Sequence, residues 1–203
     1  MWTGEIKVIT GVKESGKSVL LFELFYYYLI NQKDVKEEQI IKIELDQRKN
    51  YKYCNQINLC EYVESLVLEN KEKQYYLFID EVQFTQKVVD KENGNIEVTI
   101  YDMLNELKAY RNLDVYVTGS NSHALSKDIA TEFRGGATQI HISPLSFEEY
   151  FNYVGGDERK ALDQYMLYGG LPRILDLNYE SGILHCNLID FLLGKLIWFK
   201  KIK

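Results

Sequence analysis

The sequence predicts an α/β protein: a parallel β-sheet flanked on both faces by helices, with a small helical appendage towards the C-terminal end. Three observations predict it. Apolar runs of strand length alternate with helix-length periodic segments, a pattern that favours parallel strands joined by crossover helices. A glycine-containing turn, Gly11 to Gly16, separates the first strand from the first helix. The alternation stops at Pro144, after which only helical signals follow.

Taken in order, Glu5 to Thr10 reads as a short strand, and Ser18 to Ile30 is apolar almost all round, as in a helix buried on more than one side. Its run Tyr26-Tyr27-Tyr28 is assigned to core and boundary packing. Ile40 to Leu45 is a β-branched strand, and Leu59 to Asn70 is a helix with apolar residues three and four apart. Tyr75 to Ile79 is continuously apolar, as in a strand covered on both faces. Val88 to Ile100 reads as a polar excursion with a tight turn at Asn93-Gly94-Asn95. Tyr101 to Arg111 is an amphipathic helix, and Leu113 to Thr118 and Gln139 to Ile142 are strands. Beyond Pro144, Ser146-Phe147-Glu148-Glu149 is a capping box that opens a helix to about Tyr153. One more helix, about Asp157 to Tyr168, is bracketed by Gly155-Gly156 and Gly169-Gly170. The expected division is 1–143 for the core, 144–178 for the helical region and 179–203 for a tail.

Composition narrows the class. The chain has 203 residues, 46% of them hydrophobic and 27% charged, enough to bury a core without disulfides or metals. The longest apolar stretch, Val19 to Ile30, contains Glu23 and falls short of the ~20 residues of a membrane span. With no visible signal peptide, a cytoplasmic protein is expected, without membrane contact. A net charge of −6 does not support a broad nucleic-acid surface, and the one basic cluster noted, Lys195 to Lys203, is read as solvated. Cys54, Cys60 and Cys186 show no paired spacing and are read as thiols.

The chemistry lies in three segments. Gly11-Val12-Lys13-Glu14-Ser15-Gly16-Lys17-Ser18 fits G-x-x-x-x-G-K-[ST], the P-loop. Its glycines let backbone N–H groups turn towards a phosphate, and the following helix adds the positive end of its dipole. Lys17 is expected to reach the β- and γ-phosphates while packing against nothing in the empty protein, and Ser18 to bind Mg²⁺. Tyr75 to Glu81 then ends an apolar strand in two acids. Asp80 is placed at the metal, and Glu81 is the candidate to orient and deprotonate an attacking water. The strand Val115 to Thr118 runs into Gly119-Ser120-Asn121, where Asn121 or Ser120 could bond the γ-phosphate or the water, or simply cap a helix.

From about residue 4 to Pro172 the chain resembles prokaryotic P-loop ATPases of the AAA+-like superfamily. The resemblance rests on Ile9-Thr10-Gly11 leading into the P-loop, Phe78-Ile79-Asp80-Glu81-Val82-Gln83, and Thr118-Gly119-Ser120-Asn121-Ser122. It continues through Leu125-Ser126, Thr131, Phe133 to Gly135, Ser143 to Tyr150 and Gly169-Gly170-Leu171-Pro172. The resemblance implies ATP and Mg²⁺ as ligands, with Lys17, Ser18, Asp80, Glu81 and Asn121 in the Walker A, Walker B and sensor roles. It implies ATP hydrolysis that drives a separate effector domain or a homo-oligomer. The alternative is a nucleotide-binding module or remnant with little turnover; a small-molecule kinase ranks third.

Two departures stand out. Relatives usually read Gly-Arg where this chain has Gly135-Gly136, so Arg134 is the candidate to supply the cation at the nucleotide. Relatives also run on for roughly another two hundred residues beyond Pro172, usually into a nuclease-like domain. The segment 179–203 is either the product of truncation or frame disruption, or a compact variant with a helix over Leu188 to Trp198.

Overall fold

The computed structural model describes residues 5–90, 94–120, 133, 136–172 and 175. The chain opens with β1 (Ile6–Gly11), whose six residues are all buried. A continuous helical rod follows: α1 (Lys17–Val19), a π-helical stretch (Leu20–Phe25) and α2 (Tyr26–Lys33). Next come β2 (Ile40–Glu44), α3 (Gln56–Glu69) and β3 (Tyr75–Asp80). A hairpin of β4 (Val88–Asp90) and β5 (Ile96–Val98) leads into α4 (Ile100–Leu107), then β6 (Leu113–Thr118) and β7 (Ala137–Ile142). Two helices, α5 (Phe147–Val154) and α6 (Glu158–Tyr168), complete the described elements.

Five strands form one parallel sheet in the order β2-β3-β6-β1-β7. The P-loop strand β1 and the acidic strand β3 are therefore not neighbours; β6 lies between them. The register sets Ile79 beside Val117 and Ile9 beside Thr118, so β1, β3 and β6 deliver their last residues to one edge of the sheet. This is the edge where open α/β sheets take ligands, because the loops that leave it splay apart.

Alternation along the strands divides the core in two. Ile6, Val8, Leu77, Ile79, Val115 and Val117 face α3 and α4, and meet Leu59, Val63, Met103 and Leu104. On the other face Ile9, Tyr76 and Phe78 meet Leu21 and Leu29 of the helical rod. Each such side chain contributes about 1.5–3 kcal/mol when fully buried. Phe25 packs on both Phe78 and Tyr116, with ring centroids 5.6 and 4.8 Å apart. The tyrosine run is divided as packing at a boundary requires: Tyr27 is exposed, whereas Tyr26 and Tyr28 are half-buried against the second core. A charge pair interrupts the apolar sheet. Lys7 on β1 meets Asp114 on β6 at 2.7 Å, both nearly buried.

The segment from Val88 to Ile100 is more ordered than its polarity suggests. Val88 pairs with Val98 and Asp90 with Ile96, antiparallel, around a turn in which Gly94 and Asn95 both have positive φ. Asn93 lies outside the described residues. Thr99 and Asp102 form a reciprocal cap on α4, so that helix begins one residue before the expected Tyr101 and ends at Leu107. The Ser146–Glu149 capping box is present on α5, and Asp157 caps α6. These two helices enclose a separate small core of Leu145, Tyr150, Ala161 and Leu175. No helix among the described residues is long and apolar enough to cross a membrane.

Candidate functional site

At the C-terminal edge of the sheet, β1 turns into the P-loop and then into the helical rod. Gly11 is a steric necessity: a Cβ there would lie 2.3 Å from the Ile142 carbonyl oxygen and 2.8 Å from Ser15 Oγ. Gly16, with φ of 95°, takes the left-handed conformation that starts the helix, and Leu20 N–H closes the first turn onto its carbonyl at 2.8 Å. Between them Ser15 N–H bonds the Val12 carbonyl at 3.2 Å, which rounds the loop into a cradle. Val12, Lys13 and Glu14 form its exposed rim, and Glu14 also has positive φ.

Lys17 is buried, contrary to the expectation that it packs against nothing. Its Nζ donates to the carbonyls of Gly11 at 3.2 Å and Val12 at 2.8 Å. These two carbonyls satisfy an ammonium that burial has removed from water. Burial lowers its pKa from the ordinary lysine value, while Glu81 and Asp80 pull the other way.

The acidic pair lies across from the loop. Ser18 Oγ donates to Asp80 Oδ2 at 2.7 Å, and Thr118 Oγ1 donates to Asp80 Oδ1. Thr118, fully buried at the end of β6, also accepts the Glu81 N–H at 3.2 Å. Burial raises the Asp80 pKa; the Thr118 and Ser18 hydrogen bonds oppose that rise, and Glu81 and Asp46 add to it. Glu81 has left-handed φ and ψ of 57° and 53°, which turns its side chain out of the strand line. Its carboxylate accepts from Ser120 Oγ, 2.7 Å from each oxygen, and from Gln83 Nε2 on Oε2.

The structure thus brings Gly11 to Ser18, Asp80, Glu81 and Ser120 to one edge. Asn121 and Arg134 lie outside the described residues, as do 179–203. The residue that sequence reasoning missed is Thr118. A threonine ending a β-branched strand carries no signal of its own, and its role appears only once β6 is known to lie between β1 and β3. The available clue was a small polar residue at the end of the strand that lies between the P-loop strand and the acidic strand.

The site fits a magnesium nucleotide. Ser15 Oγ is buried on the loop with no hydrogen-bond partner among the described residues, a donor awaiting an acceptor. Lys17 supplies a cation beside it, and Ser18 with Asp80 supplies two adjacent hard oxygens of the kind Mg²⁺ takes alongside substrate phosphates.

A parallel sheet with this loop between β1 and its helix, and an acidic strand two places away, defines a P-loop ATPase-type nucleotide-binding domain. The chain belongs to the AAA domain family, which it matches over residues 3–151. It is 32% identical over 181 residues to an uncharacterized protein of Haemophilus influenzae, covering 85% of this chain and 41% of that protein. It is 27% identical over 195 residues to an uncharacterized protein of Methanocaldococcus jannaschii, covering 87% and 38%. The chain therefore spans about two fifths of the length of these curated relatives. Among solved structures it is similar in fold to a Walker-type ATPase of Pyrococcus abyssi. That likeness has a TM-score of 0.50 at 13% identity, covering 97% of this chain and 71% of the other.

Proposed function

We propose that the protein binds ATP with Mg²⁺ and hydrolyses the β–γ phosphoanhydride bond. The observation that carries this reading is the Ser18–Asp80 contact beneath the P-loop, with Glu81 next in the chain. The loop from Gly11 to Ser18 would hold the phosphates through backbone N–H groups, with the Ser15 hydroxyl as a further donor. Lys17 would leave the loop carbonyls for the β- and γ-phosphates, a charge-assisted contact in place of a neutral one. Ser18 and Asp80 would hold Mg²⁺, which when bound neutralises developing charge on the phosphate oxygens. Thr118 keeps Asp80 Oδ1 engaged, so Oδ2, which accepts from Ser18, would be the oxygen offered to the metal.

Glu81 would orient a water for attack on the γ-phosphorus and take its proton at a carboxylate oxygen. Asn121 and Arg134 remain assigned by resemblance, Asn121 to the γ-phosphate or the water and Arg134 to the nucleotide. The separate core of α5 and α6 supports a boundary near residue 143, with a helical region to about 178. We assign the energy of hydrolysis to motion of an effector domain or a neighbouring copy, which the greater length of the relatives favours.

The test is nucleotide binding and phosphate release, measured with and without Mg²⁺. The reading predicts Mg²⁺-dependent release of phosphate from ATP. Binding without any release above a no-enzyme control would leave only a nucleotide-binding module.

A further inference from the structure

The chain carries 30 acidic residues against 24 basic ones, yet residues 47–60 hold three cations and no acid. Most of that stretch is a 3₁₀ segment, Arg48–Cys54, which follows β2. Three residues per turn set Arg48 in one row with Tyr51, and Lys49 in the next with Lys52, the members of each row about 6 Å apart. The third row, Asn50 and Tyr53, is buried. Asn50 Nδ2 donates to the Glu44 carbonyl at 2.9 Å, and Tyr53 joins the core beside α3 and α4. Burial of that row turns the other two outward: Arg48, Lys49, Tyr51 and Lys52 are all exposed, Tyr51 to 60%.

The turn is anchored at both ends. Leu45 N–H bonds the Asp80 carbonyl at 3.2 Å before it, and Gln86 N–H bonds the Cys54 carbonyl at 2.9 Å after it. Lys52 Nζ lies 4.7 Å from the centre of the Tyr53 ring, which stacks in turn on Tyr62 at 4.9 Å. Lys7, Lys73 and Lys87 each meet a carboxylate, whereas Arg48 and Lys49 form no ion pair among the described residues. The Tyr51 ring likewise has no stacking partner among them. A rigid turn thus offers open cations beside an open aromatic face.

We propose that this turn binds single-stranded nucleic acid, with phosphates on Arg48, Lys49 and Lys52 and a base stacked on Tyr51. Cations along a backbone and an aromatic platform for a base are the two things a single strand needs from a protein. In a duplex the bases are already stacked on one another, so Tyr51 would gain nothing there. A net charge of −6 argues against a broad surface, but this one is confined to Arg48 to Lys52. The inference does not depend on nucleotide hydrolysis.

The experiment measures binding of fluorescein-labelled oligo-dT and oligo-U, each of about twelve nucleotides, by the full chain over a range of salt. A dT·dA duplex of the same length and an oligoglutamate peptide serve as competitors. The wild type should bind at least one of the strands about tenfold tighter than the duplex, and Tyr51→Ala should lose about tenfold in affinity and with it that preference. In the triple variant Arg48→Gln, Lys49→Gln, Lys52→Gln, the slope of log K against log salt should be shallower by about 2, at ~0.7 for each cation. Lys49→Gln alone should remove about 0.7 of it. All four side chains are exposed, so urea melts of the variants should match the wild type. The dT and U arms tell a DNA strand from an RNA strand, and either one bound through these residues bears the inference out. Affinity and salt slope unchanged in the triple variant overturn it, as does a lack of binding to both strands at low salt. So does a duplex or an oligoglutamate bound as tightly as the strands, since neither offers an open base.

Discussion

Ser18 and Asp80, 62 residues apart in sequence, are joined by a 2.7 Å hydrogen bond between a hydroxyl at the start of the helical rod and a carboxylate at the end of β3. The bond spans a sheet in which β1 and β3 do not touch, and Thr118 on the intervening β6 fixes the other carboxylate oxygen. The site is thus built from three strands.

Lys17→Met tests the loop. Methionine retains most of the buried stem, and the carbonyls of Gly11 and Val12 lose one donor, so stability should fall by no more than about 1.5 kcal/mol. ATP affinity should fall at least about tenfold, because a charge-assisted contact to phosphate is lost. Calorimetric titration with ATP beside a urea melt checks both. Unchanged affinity in a folded variant would remove the phosphate-binding role of the loop.

Thr118→Val should disable the acidic pair without emptying the core, since valine has nearly the same shape. It removes the donor to Asp80 Oδ1 and the acceptor for Glu81 N–H. Turnover at saturating ATP should drop about tenfold or more, and Thr118→Ser should restore most of it. Equal rates for all three proteins would make Thr118 a packing residue only.

These residues also show what the sequence could reveal. The P-loop and the Asp80-Glu81 pair were legible because their chemistry is written in contiguous residues. Thr118 was not, because its role depends on which strands are neighbours, and neighbour order is set by the whole sheet. The β4–β5 hairpin was hidden for a related reason: its strands have three residues each, too few for alternation to register. Nor did periodicity announce the π-helical stretch Leu20–Phe25, since apolar residues all round the rod suit more than one helical pitch. Lys17 illustrates a third limit. A cation read as packing against nothing is buried and bonded to the carbonyls of its own loop.

Gly11→Ala should damage fold and site together. Its Cβ would meet the Ile142 carbonyl oxygen at 2.3 Å, so β1 and β7 must separate locally. We expect a loss of at least about 2 kcal/mol in a urea melt, together with weakened ATP binding. A variant as stable as the wild type would contradict the close packing of β7 against the loop.

Cys60 gives a pH-dependent prediction away from the site. Burial, together with Glu64 and Glu106, pushes its thiol from 9.0 up to about 12. Between those values the folded state keeps a proton that the unfolded state releases, so stability contributed by the neutral thiol is fully present below pH 9 and declines as pH rises towards 12. Thermal melts from pH 8 to 11 should show a steeper decline for the wild type than for Cys60→Ala. The same burial should leave Cys60 unreactive to iodoacetamide at pH 8 until the protein is unfolded. Rapid labelling of Cys60 in the native protein would contradict this.

The central claim is that Glu81 serves as the base of an ATP hydrolase whose phosphate and metal positions are set by Lys17, Ser18 and Asp80. The most direct measurement is phosphate release from Mg²⁺-ATP by the wild type and Glu81→Gln side by side, with ATP affinity determined for both. Glu81→Gln should bind ATP at least as tightly and release phosphate slower by about a hundredfold or more. Equal rates in the two proteins, at equal affinity, would contradict it.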